Sequence, residues 1–141
     1  MTEADKQSAP VRMWMYVMAF AIAYVPLMLV AAIVLNLLDV NAPQGANYAC
    51  LAFASGLVAY TFAEKHRRGF ENGEYWRLVG GSVAVDFAWS VGPYLALSFS
   101  APVTFSAIAA GSALTVGIHA LFLAFMYSSL MVSNYVPKAK G

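Results

Sequence analysis

The sequence predicts an all-α, polytopic membrane protein, with four transmembrane helices in an up-down bundle and both termini on the cytoplasmic side. Three observations carry that expectation. Of the 141 residues, 61% are hydrophobic and only 11% are charged, against about a quarter charged in soluble domains. Apolar stretches near the ~20 residues that cross a hydrocarbon core recur four times between short polar breaks. All eight basic residues, Lys6, Arg12, Lys65, Arg67, Arg68, Arg77, Lys138 and Lys140, fall in the amino tail, the second connection or the carboxyl tail. Cations of short loops gather on the cytoplasmic side, so these three segments share one side and the cation-free first and third connections face away.

In chain order, residues 1–9 are polar and mixed in charge and read as a mobile cytoplasmic tail. A single transmembrane domain over 10–137 follows, opened by Pro10, whose missing N–H suits a first helical turn. The first helix spans about 13–38 without a charge. Its apolar run exceeds the roughly 7–15 residues of a secretory core, so it is retained. Pro26 removes one backbone hydrogen bond in its middle and bends it, with Tyr24 at similar depth. Asp39, Asn41, Pro43 and Gly45 make a turn. The second helix, about 46–63, carries Ala52 and Gly56 at a spacing that admits a close neighbour, which suits a central position. Asn72 is the expected N-cap of a third helix over about 73–99, with Glu74 in its first turn and Pro93 in its far half. A short connection at 100–104 leads to a fourth helix over about 105–132, ended by Asn134 and Pro137, and then a basic tail at 138–141. Trp14, Tyr16, Tyr75, Trp76, Tyr127 and Tyr135 are expected in an interfacial aromatic belt.

Four of the eight bases and four of the seven acids lie between Ala63 and Trp89. Among them Asp86 stands alone inside an apolar segment. Ser82 and Ser90, four residues to either side, share its helix face. On the fourth helix Ser112, Thr115 and His119 form a second polar stripe. Both Asp86 and His119 fall near mid-membrane, where an aspartate costs about 2.5–3.5 kcal/mol on insertion scales and is normally turned inward and paired. The expectation is that the two face each other. An interhelical bond that only fixes packing and a protonation or cation-binding site are both open at this point.

The loop cations Lys65, His66, Arg67, Arg68 and Arg77 are candidates for anionic headgroups or a docking partner, beside the plainer reading of a topology signal. His119 as a haem ligand lacks a second membrane histidine, since His66 sits in the loop. The lone Cys50 excludes an internal disulfide, and no Cys/His cluster suggests a metal. No nucleophile triad, phosphate loop or zinc-helix motif appears. No cofactor is expected, an enzyme has little support, and a net charge of +1 offers nothing to nucleic acid.

One stretch carries a resemblance. Tyr60, Phe62, Glu64, Lys65, His66, Arg67 and Arg68, followed by Glu74, Trp76, Arg77, Leu78, Gly80, Gly81 and Ser82, resemble a family of small four-helix bacterial inner-membrane proteins, one of which is associated with ciprofloxacin tolerance in Acinetobacter. The resemblance covers about a quarter of the chain and departs at Phe70 to Gly73, where family loops often carry proline and threonine. It implies the bacterial inner membrane, a role in drug tolerance or envelope physiology, and no catalytic residues. Small multidrug antiporters also have four helices but depend on a glutamate in the first, which has no counterpart here; Asp86 would have to take that part. Two functions are therefore expected: proton-coupled transport or drug tolerance through Asp86 and His119, or an accessory or assembly subunit docking by its Gly/Ala faces and basic loop. So few buried side chains also suggest a homo-oligomer or a larger complex within the bilayer.

Overall fold

The computed structural model describes residues 11–98 and 105–137, with side chains for all of these except 43, 91–98 and 105–111. Over them the chain forms five helices and no strand: α1 Met13–Leu37, α2 Pro43–His66, α3 Asn72–Ser98, α4 Phe105–Met126 and α5 Ser129–Val132. The tails at 1–9 and 138–141 and the connection at 100–104 lie outside the described residues.

Contacts fix the order of the bundle. Tyr16, near the start of α1, packs against Phe62 and reaches His66 at the end of α2, while Tyr24 further along reaches Asn47 near the start of α2. These two helices are antiparallel. Tyr75 near the start of α3 donates to the Ala124 carbonyl near the end of α4 at 2.9 Å, so these are antiparallel too. α1 and α3 run the same way, with Val17 against Gly81 and Tyr24 against Asp86.

The helix ends follow from local chemistry. α2 starts earlier than the sequence predicts, because Pro43 is accepted in a first turn. It ends at Arg67, which adopts a left-handed φ of 52° and donates its N–H to the Ala63 carbonyl at 2.8 Å. For a residue other than glycine that conformation costs about 1–2 kcal/mol, offset by a satisfied carbonyl and by Lys65 and His66 in the last turn, where cations suit the helix dipole. Asn72 is not the cap the sequence suggests. It is already helical, and the Glu74 carboxylate reaches back to accept the Glu71 N–H at 3.0 Å, the return half of a capping box.

The fourth predicted helix is in fact two. α4 stops at Met126, Ser128 is extended with ψ 155°, and α5 begins at Ser129. The Ser128 N–H turns to the Phe125 carbonyl, tightening the last turn. Serine competes for backbone groups outside helices, and two in succession make this the weakest point of the segment. The break lets Val132 of α5 enter the core and sets Tyr135 edge-on to Tyr60 of α2, with ring centroids 6.1 Å apart.

α2 supplies the longest buried stripe, Leu51, Ala54, Ser55, Val58, Ala59, Phe62 and Ala63, at the spacing of one helix face. Phe20 and Tyr24 of α1, Leu78 of α3, and Leu123 and Tyr127 at the end of α4 complete the core. The tightest approach is not at the Ala52/Gly56 pair. At Gly56 a Cβ would meet only Tyr135 Oη at 3.8 Å, whereas at Gly81 it would sit inside the Val17 side chain. The aromatic belt also needs correction. Trp14 and Trp76 are 62% and 60% exposed, but Tyr16 and Tyr127 are core residues whose hydroxyls bond to His66 and Ser82.

Two helices are long and apolar enough to cross a membrane, Met13–Leu37 and Gln44–His66, and Ser112–Met126 is a shorter apolar helix among the described residues. Ile22, Leu29, Ile33 and Leu37 of α1 and Leu114 and Leu121 of α4 are exposed. Soluble monomers rarely leave so much large apolar surface uncovered.

Candidate functional site

The four long helices each bring a side chain to one buried point. Asp86 of α3 is 0% exposed and His119 of α4 is 3% exposed, and His119 Nδ1 lies 2.6 Å from Asp86 Oδ2. The other carboxylate oxygen, Oδ1, lies 2.7 Å from the Tyr24 hydroxyl of α1. Tyr24 in turn lies 2.7 Å from Asn47 Oδ1 of α2. Tyr48 of α2 stands edge-on to the His119 imidazole, with centroids 5.1 Å apart, and also contacts Phe122; Phe20 stacks on Tyr24 at 5.3 Å. The ring contacts fix the imidazole and phenol planes, and the short separations are those of hydrogen bonds assisted by charge.

The proton count is informative. Tyr24 has one hydroxyl proton and faces two oxygens, so it donates to one of them. With Asp86 ionised, Tyr24 donates to Oδ1, and the Asn47 amide, rotated to present its nitrogen, donates to the phenol oxygen. With Asp86 protonated on Oδ1, the carboxyl donates to Tyr24, and Tyr24 donates to Asn47 Oδ1 as that oxygen is placed here. In both states the carboxyl and the phenol keep their partners.

The remaining polar residues of the two stripes divide. Ser82 is buried, but its hydroxyl pairs with Tyr127 Oη at 3.1 Å, a separate bond tying α3 to the end of α4. Ser90 and Ser112 are half-buried and Thr115 is at an exposed position; the carboxylate oxygens meet His119 and Tyr24 instead. Asn47 and Tyr48 went unnoticed in the sequence, because they fall beside the turn that ends the first connection. Their signal is an amide and a phenol one turn inside an apolar helix.

The basic loop also divides. Arg68 makes a two-pronged bond to Glu74 at 2.7 and 2.8 Å and lies over the Phe62 ring, 5.4 Å from its centroid. His66 Nε2 lies 2.9 Å from the Tyr16 hydroxyl. Both are turned toward the chain itself while staying partly exposed. Lys65, Arg67 and Arg77 remain exposed. The bond from Arg68, helped by the Glu71 N–H, holds the Glu74 carboxyl below the usual glutamate range against the opposing effect of burial. A carboxyl depressed in the folded state adds stability above its unfolded pKa and loses it as pH falls through the folded value. Thermal unfolding in detergent should therefore show a contribution of about 1 kcal/mol or less that fades below the ordinary glutamate pKa. Arg68→Gln should flatten that part of the curve; an unchanged profile would show the bond to be energetically idle.

Among the described residues no group of three or more His, Cys, Asp or Glu side chains could hold a metal ion. Cys50 is free and buried. No protein family, curated protein or solved structure matches the chain.

Proposed function

We propose that the chain crosses a bacterial inner membrane four times, with both termini cytoplasmic, and that Asp86 and His119 form a proton-exchange site coupled to movement of a small organic cation. The supporting observation is the buried contact of 2.6 Å between His119 Nδ1 and Asp86 Oδ2, with Tyr24 and Asn47 completing either protonation state. With one titratable proton beyond the N–H that a neutral imidazole keeps, the pair is neutral overall. Releasing that proton leaves one negative charge in a region of low dielectric, where two unit charges about 4 Å apart interact by about 4 kcal/mol even at an effective dielectric constant of 20. A cation entering as the proton leaves removes that penalty, so the two exchange rather than bind together. His119 Nε2 is the second ring nitrogen, and it is the atom through which a proton reaches the pair while Nδ1 stays on the carboxylate. The resemblance to a family with a drug-tolerance member agrees with a role in drug tolerance or envelope physiology.

The test is reconstitution into vesicles containing a pH-sensitive dye, with tetraphenylphosphonium or ethidium added outside under a pH gradient. Wild-type protein should move protons in response to the cation, with saturation. Asp86→Asn should abolish that response. Equal, equally pH-dependent proton movement in the two proteins would sink the proposal.

A further inference from the structure

A second feature lies at the loop end of the bundle, away from Asp86. Between the start of α1 and the start of α3 there is an open groove of about 550 Å³, lined among others by Arg12, Trp14, Val17, Met18 and Arg77. None of its lining residues is acidic, and its size falls within the roughly 300–1,000 Å³ of small-molecule sites. Its chemistry changes with depth. Arg12 immediately precedes α1, and Arg77 lies in the second turn of α3. Trp14 and Met18 follow on one face of α1, four residues and about one turn apart, and both are exposed. Because α1 and α3 run in the same direction, both arginines sit at the mouth and the apolar wall descends from it.

The first turn of α1 sharpens the preference for an anion. It contains no acidic residue, and no side chain caps it, so the positive end of the helix dipole opens beside Arg12. Neither arginine makes an ion pair among the described residues, in contrast to Arg68 with Glu74.

We infer that this groove binds one anionic phospholipid, its phosphate between Arg12 and Arg77 and the upper part of an acyl chain along Trp14, Val17 and Met18. A free phosphate would use only the mouth, whereas an amphiphile matches both the charge and the apolar descent. The inference rests on the membrane reading proposed above, though not on proton exchange.

Native mass spectrometry of the full-length protein in mild detergent, with an equal mixture of phosphatidylglycerol and phosphatidylethanolamine, tests it. The wild type should carry one phosphatidylglycerol in preference to phosphatidylethanolamine, and 1 mM inorganic phosphate should not displace it. Arg12→Gln with Arg77→Gln should weaken that adduct about 30-fold, at roughly one cation's worth of attraction each. Lys65→Gln with Arg67→Gln, which removes the same charge from the same end, should leave it in place. Circular dichroism checks that the double variant is folded, and Arg77→Gln alone should give an intermediate loss. Equal adducts of the two lipids, or equal losses from the two double variants, overturn the site while leaving the membrane reading intact. Displacement by phosphate reduces it to an anion site and overturns the lipid assignment. Absence of any adduct overturns the site. A wild-type protein that stays monodisperse without detergent overturns both readings.

Discussion

His119→Leu is expected to destabilise the protein by about 3–5 kcal/mol, since it leaves Asp86 buried with one carboxylate oxygen stripped of its partner. Unfolding by urea or by a graded denaturing detergent in micelles measures the loss. Asp86→Asn should cost much less, about 1 kcal/mol, because an amide of the same shape still bonds to Tyr24 and His119 while giving up the charge. The informative variant is the pair Asp86→Leu with His119→Leu. Removing both partners together leaves neither stranded, so the double variant should be more stable than the sum of the single losses predicts. If His119→Leu costs under about 1 kcal/mol, water reaches the carboxylate and the buried pair is not what holds α3 to α4.

Gly81→Ala should also destabilise, by about 1–3 kcal/mol, though its side chain adds only a methyl group. The new Cβ would overlap Val17 of α1, and a β-branched valine has little rotamer freedom in a helix with which to move aside. The same contact holds α1 against α3 on the turns below Asp86, so moving these helices apart draws Tyr24 from the carboxylate. The double variant Gly81→Ala with Val17→Ala should recover most of the loss. Simple additivity would locate the cost elsewhere in α3. Gly80→Ala is the control, because nothing lies within 4 Å of a Cβ there.

The elements were legible in this sequence wherever composition alone decides them. Long uncharged runs can only be helices if they are to lie in lipid, and the clustered bases mark one end of the bundle. The meeting of Asp86 and His119 was legible for the same reason, since each is the one ionisable group of strong hydrogen-bonding capacity deep in its segment. What completes their site was not. Tyr24 lies 62 residues from Asp86, and a tyrosine in an apolar helix signals equally a packed ring, a membrane-interface anchor or a hydrogen-bond donor. Tyr16 and Tyr127 fell to that ambiguity, because proximity to a boundary is shared by belt and core residues. The split at Ser128 was hidden by the apolar residues on either side, which continue the hydropathy of a helix across a backbone that is not helical. Arg68 illustrates a further limit. Its charge counts toward sidedness wherever it points, so its bond to Glu74 left no trace in the pattern of bases.

The gathering of one side chain from each long helix bears on how such a chain is made. Synthesis proceeds from the amino terminus and domains form as they emerge, so Asp86 leaves the ribosome 33 residues before His119. Tyr24 and Asn47 are by then already available to each other, but the carboxyl has only the phenol for company until the final segment arrives. A chain that ended before α4 would therefore hold the buried carboxyl with Oδ2 unpartnered, so α3 gains its last polar partner only when α4 arrives.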